Sequence, residues 1–284
     1  MPLGVGTIIA QSFSILFRNF FKVILVGFVP SFLGYLAPVL ILSLFGTLSW
    51  PQQLETQPED AAIGISIAVV VMGLLQAAVF AFIAALLAQL AYDAKLSRPV
   101  RLRHYLGPAL SAVPSIVVLA IAVVLILFLS TFPLGLMGAA LGPVSVVIVL
   151  TIPFLSLWIM AVFSVTAPAV VIERVGLKGL NRSAFLTKQY RWPIVGTLFL
   201  TLLCFVGVYS VLGVATVIVM SGFSLFDIQG GAATLLISTV PIILYIAMST
   251  LGLGLMGIVI ALIYARLREI KEGISVDQIA AVFE

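Results

Sequence analysis

The chain has 284 residues, 63% of them hydrophobic and only 8% charged, with a formal net charge of +4 and a mean hydropathy of +1.31. So much apolar surface cannot be hidden in one water-soluble core of this length, which excludes a soluble globular domain and requires an integral membrane protein. The basic balance is no sign of nucleic acid, because the cations flank apolar runs instead of lining one soluble face; anionic phospholipids are the partners expected.

Residues 5–18 set Thr7, Gln11, Ser14 and Arg18 on a narrow polar stripe opposite Ile9, Phe13, Leu16 and Phe17, the pattern of a helix lying in the membrane interface. Arg18 and Lys22 bracket Asn19-Phe20-Phe21, and a first span covers residues 21–48, bent at Pro30 and Pro38. A polar loop follows, whose only charges are Glu55, Glu59 and Asp60. The second span, 63–92, exceeds the ~20 residues needed to cross. Along it Ala77, Ala81, Ala84, Ala88 and Ala91 recur at alternating four- and three-residue steps, a seam that lets another backbone approach. Internal packing is the first use expected of that seam, and a homodimer or another membrane-protein partner the alternative. Gln76 and Gln89 are expected to hydrogen-bond to neighbouring helices.

Residues 93–110 form a basic elbow with Lys95, Arg98, Arg101, Arg103 and His104 beside Tyr105, the lone histidine reading as an ordinary interfacial side chain. A third span, 114–132, leads to an uncharged turn, P-L-G-L-M-G-A-A-L-G-P. A fourth, 144–171, carries Pro153 and Pro168 into the central elbow, where Arg174, Lys178, Arg182, Lys188 and Arg191 gather beside Tyr190 and Trp192. Aromatics prefer the headgroup layer and cations the inner side, so this elbow is read as cytoplasmic. The fifth span runs over 194–220, and the outer loop 221–234 carries only Asp227. The sixth, 235–264, holds Pro241, Gly252, Gly254 and Gly257 and is expected to be broken or strongly kinked. Residues 265–284 form a cytoplasmic tail, in which Ser275-Val-Asp-Gln278 reads as a capping box opening a short terminal helix.

All fourteen Lys and Arg fall on one side of this scheme: two by the N-terminal helix, four and five in the elbows, three in the tail. The short outer loops have none and carry four of the ten acids, the situation in which the positive-inside rule applies best. Six spans with both termini cytoplasmic follow, and no cleavable signal peptide is expected. The spans read as three hairpins, each led by an interfacial helix.

Little in the chain points to chemistry. Gly252-Leu-Gly254-Leu-Met-Gly257 matches a dinucleotide fingerprint, with Glu272 at the distance of the ribose-binding acid. It interrupts an apolar span, however, and reads as close helix packing. No metal or hydrolase motif occurs, and no ionisable residue lies near the centre of a span, where each would cost ~3 kcal/mol. Cys204, the single cysteine, allows no internal disulfide and reads as a packed, inert thiol. Asp93 and Glu173, where spans reach the inner interface, are expected to pin the elbows through ion pairs, for example Glu173 with Arg182. Arg18, Lys22, Arg98, Arg101, Arg103, Arg182, Lys188, Arg191 and Trp192 are the candidates for lipid-headgroup or elbow contacts.

The run P-A-V-V-I-E-R-V-G-L-K-G-L-N-R-S-A-F-L-T-K-Q-Y-R-W-P-I-V-G, residues 168–196, and L-I-Y-A-R-L-R-E-I-K-E-G, residues 262–273, resemble the bacterial membrane-domain family found attached to some glycerophosphoryl diester phosphodiesterases. The N-terminal S-F-S-I-L-F-R-N-F is similar too. The resemblance implies a bacterial membrane domain and transfers no catalytic residue; the phosphodiesterase needs a soluble barrel with paired histidines and metal-binding carboxylates, and this chain has one histidine. The expectation is therefore an all-α, six-span inner-membrane bundle without cofactor or catalysis. It would act as a lipid-facing scaffold or an accessory subunit, and the alternative is a transporter or flippase of a lipid or small amphiphile.

Overall fold

The computed structural model describes residues 3–44, 58–96, 98–140, 145–225 and 232–273. Among these the chain is all-α: α1 (Val5–Arg18), α2 (Phe20–Leu44), α3 (Pro58–Lys95), α4 (Leu102–Ala140), α5 (Ser145–Phe163), α6 (Thr166–Glu173), a 3-10 turn (Gly176–Lys178), α7 (Gly179–Thr187), α8 (Arg191–Leu225) and α9 (Ala232–Glu272). Five spans are long and apolar enough to cross a membrane, the fused run of α5 and α6 among them, and α1 with α2, bent by 83°, makes a sixth. The chain is a polytopic helical membrane bundle.

Several elements extend beyond what periodicity suggests. Helix α4 takes up much of the elbow expected over 93–110 and the turn expected after residue 132, running for 39 residues through Pro108, Pro114 and Pro133. At its start, Tyr105, Ala109, Ala112, Ile116 and Leu119 recur at four- and three-residue steps and are all buried, an apolar stripe that needs a helix to face one way. At its far end no water competes for the backbone, so helix remains the cheapest way to satisfy N–H and C=O groups, proline notwithstanding. The second hairpin therefore has no separate interfacial helix. Likewise α9 is unbroken over 41 residues, correcting the expected interruption. Its glycines are places of close approach. A Cβ on Gly252 would collide with the Phe205 ring, one on Gly254 would lie 2.6 Å from Val23, and one on Gly257 2.9 Å from Leu87.

The fourth span does break, at Ser164–Val165, between α5 and α6. Pro168 favours the break, since it lacks the N–H that would bond residue 164 and its ring clashes with that carbonyl. Helix α1 also departs from expectation. It turns Ile8, Ser12, Ile15 and Leu16 inward onto the bundle, chiefly α9, leaving Phe17 68% exposed.

Among the described residues, burial is concentrated at the end of the bundle that carries the elbows. The core is made by α1, the start of α2, residues 81–94 of α3, the first half of α4, the end of α5, α6, α7, the start of α8 and residues 255–267 of α9. Helix α3, at 38 residues, is about 57 Å long against a hydrocarbon layer of ~30 Å, so the long helices project well past one lipid core. Of the alanine seam, Ala81, Ala88 and Ala91 are buried in this core and Ala77 and Ala84 half-buried. Three of the five seam alanines are thus used in packing within the chain. The expected terminal helix at Ser275 lies outside the described residues.

Candidate functional site at the basic end

The break at Pro168 and the reversal after α6 build the site. Arg174 (φ 55°) and Gly176 (φ 55°) both adopt the left-handed conformation, and a non-glycine residue there costs about 1 kcal/mol. This turns α7 back along α5 and α6. The Ser183 and Thr187 hydroxyls, one turn apart on α7, donate to the Val162 carbonyl beside the break, at 2.8 and 3.1 Å. Gly179 makes the approach possible, since a Cβ there would sit 2.6 Å from Val170 and 3.0 Å from Leu119.

The result is a closed cluster of opposite charges. Arg182 on α7 donates to Glu173 at the end of α6 through Nε (2.7 Å) and Nη2 (2.9 Å), a bidentate pair. It also donates to Glu272 on α9. Arg268 donates to Glu272 at 2.9 Å and lies 3.9 Å from Glu173. The buried phenol of Tyr264 donates to Glu173 at 2.6 Å, and its ring lies 6.3 Å from that of Tyr92 on α3. Two carboxylates thus balance two guanidiniums, all 13–23% exposed at the side chain. The Arg182 guanidinium is held above its usual range, first by the hydrogen bond to Glu173 and further by Glu272, against the cost of burial. Each charge in the cluster faces an opposite one. Its members are occupied with one another, which suits fastening α6, α7 and α9 together better than moving a proton.

A second set of contacts ties the other elements at the same end. Asp93 accepts the Tyr105 hydroxyl at 2.5 Å, and Gln89 donates to the Tyr105 carbonyl at 3.3 Å, joining α3 to α4. Arg18 reaches the Ala94 carbonyl (3.4 Å), and Lys95 reaches Gln11 (3.3 Å), joining α1 to α3. Lys271 lies over the Phe185 ring and Arg191 over the Trp158 ring, at 5.7 and 4.9 Å from the centroids. Lys22, Arg101, Arg103 and Lys188 are exposed and hold no ion pair among the described residues. Arg98 is exposed as well, and Trp192 is 72% exposed.

Of the residues singled out from sequence, the structure brings Glu173 and Arg182 together and gives Asp93 a tyrosine. It distributes Gly252, Gly254 and Gly257 over three different neighbouring helices. Cys204 is half-buried. Among the described residues no group of three or more His, Cys, Asp and Glu is placed to hold a metal ion. Tyr264, Arg268 and Glu272 were missed as members of the cluster. Their spacing carried the signal, since 264, 268 and 272 succeed one another at i, i+4 on a single helix face.

Comparisons with protein families, curated proteins and solved structures return no match for this chain. The two stretches that carry the resemblance given above, 168–196 and 262–273, do meet in space: the first supplies Glu173 and Arg182 to the cluster, the second Tyr264, Arg268 and Glu272.

Proposed function

We propose that this chain is a non-catalytic protein of the bacterial inner membrane, with its basic end in the cytoplasm, serving as a lipid-facing scaffold or an accessory subunit of a larger membrane complex. The observation that carries the reading is the division of the cations into two sets. Arg182, Arg266 and Arg268 are neutralised by carboxylates within the fold. Lys22, Arg101, Arg103 and Lys188 are exposed at the same end, Lys22 and Lys188 close in sequence to the exposed aromatics Phe21 and Trp192. Outward cations beside interfacial aromatics suit anionic headgroups, each cation contributing about 1 kcal/mol. The resemblance to the phosphodiesterase-associated membrane domains belongs to this reading as a likeness of position and architecture, without activity.

Transport of a lipid or small amphiphile would call for a polar path. A cavity of about 470 Å³ is lined almost wholly by apolar side chains, which supports contact with lipid over passage through the protein. Two measurements test the reading. Single cysteines at Lys95 and Lys188, in a Cys204→Ala background, should both react with an impermeant thiol reagent from the cytoplasmic side; reaction from opposite sides removes the topology. In gentle detergent, the Arg101→Gln, Arg103→Gln, Lys188→Gln triple variant should retain less anionic lipid than the unaltered protein, and equal retention counts against the lipid-gripping role.

A further inference from the structure

The 470 Å³ cavity lies between α4, α5 and α6, α8 and α9, with Leu119, Val123, Leu157, Leu198 and Met256 among its walls. Its two hydroxyls are already engaged: Ser164 donates to the Ala161 carbonyl at 3.0 Å, and Thr166 to the Phe163 carbonyl at 2.7 Å. Nothing in the lining asks for a polar ligand. Val124, Met160 and Leu202, which also line it, are 62, 48 and 40% exposed, so the cavity opens sideways onto the outer surface of the bundle. Its size falls within the range of small-ligand sites, about 300–1,000 Å³.

A charged group stands beside this groove, next to its Leu157 and Met160 wall. Arg191 opens α8, and Leu198 and Leu202 follow it at seven and eleven residues on the same helix face, Leu198 about 10 Å farther along the axis. The Arg191 guanidinium lies over the Trp158 ring, 4.9 Å from its centroid, on the helix that supplies Leu157 and Met160 to the groove. Its Nε is buried and has no hydrogen-bond partner among the described residues. A buried donor on a cation, with no protein acceptor among the described residues and with an apolar slot alongside it whose walls include Leu157 and Met160 on either side of Trp158, is matched by an anion joined to a hydrocarbon chain.

We propose that this groove holds one acyl chain of an anionic phospholipid whose phosphate is bound by Arg191. The inference rests on the lipid-facing reading above and gives it a specific seat, separate from the exposed cations at the rim. Trp158 then sits where the headgroup meets the chain and serves as a built-in reporter.

The test uses the full chain carrying Trp50→Phe and Trp192→Phe, so that Trp158 alone fluoresces, in phosphatidylcholine vesicles containing rising fractions of brominated phosphatidylglycerol or brominated phosphatidylcholine. Quenching should saturate at about a fivefold lower fraction of the anionic lipid than of the zwitterionic one. Arg191→Gln should bring that ratio to about one, Arg191→Lys should keep most of it, and Ala120→Phe, which fills the groove, should weaken quenching by both lipids. Superimposable curves for the two lipids, or an Arg191→Gln curve that matches the unaltered protein, overturns the seat. A companion protein with Trp192 as its single tryptophan samples the rim. Anionic preference at Trp192 without any at Trp158 overturns the seat and leaves the lipid-facing reading standing, whereas preference at neither position overturns both.

Discussion

The two ends of helix α4 obey different rules. From Tyr105 to Leu119 every third or fourth residue is buried against other helices; beyond it, Val124, Leu125, Phe128, Leu129, Leu136 and Met137 are each more than half exposed. The contrast recurs on α8, where Ile194, Thr197, Leu198 and Thr201 are buried and Val211, Val214, Val217 and Ile218 are 60% or more exposed. Near the elbows, water and headgroups compete for every apolar side chain, so burial is rewarded much as in a soluble core. In the hydrocarbon, lipid tails are as apolar as leucine, nothing drives such side chains together, and helices associate only where shape or polar groups make them. The close-packed end is also where Pro168, the left-handed turn and the Glu173 cluster occur, because irregular backbone is tolerated only where protein satisfies it.

The comparison breaks most directly through paired truncations. Leu90→Ala, at a fully buried position, should cost about 2–5 kcal/mol in reversible SDS unfolding, while Leu129→Ala, 69% exposed, should change stability by less than about 0.5 kcal/mol. Similar losses at both would mean that the far ends associate as tightly as the basic end. Next in size, Glu173→Gln removes one carboxylate from Arg182 and Tyr264 and should cost about 2 kcal/mol, with faster proteolysis between α6 and α7. A double-mutant cycle with Arg182→Gln should return a coupling of at least about 1 kcal/mol, and strict additivity would show that the cluster fastens nothing. Gly179→Ala should cost about 1–2 kcal/mol, because Val170 and Leu119 already occupy the space its methyl would need. The smallest effect is expected for Lys188→Gln, an exposed cation outside the cluster, whose unfolding midpoint should stay within error while anionic-lipid retention falls.

Much of the cluster was half visible. Glu173 and Arg182 stand nine residues apart in one elbow, and their pairing needs only a local reversal. Their meeting with Tyr264, Arg268 and Glu272 needs α9 to run unbroken past its glycines into the same layer, and no local pattern reports that. The groove between α4 and α8 was not legible at all. Val124 and Leu202 look like any other lipid-facing residues until the helices carrying them are set side by side.

By itself the sequence determined that the chain is helical and membrane-spanning, and that its charges gather between particular spans, because hydropathy and charge are summed along a chain and need no neighbours. Only the tertiary structure decided where helices end, which carboxylate meets which guanidinium, and which cations stay unpaired. Those outcomes depend on competition between partners distant in sequence. A helix ends just before Pro168 while Pro108, Pro114, Pro133 and Pro153 lie in helix that continues around them; beside the break at Pro168, α7 folds back and donates to the Val162 carbonyl, a partner that only the fold supplies.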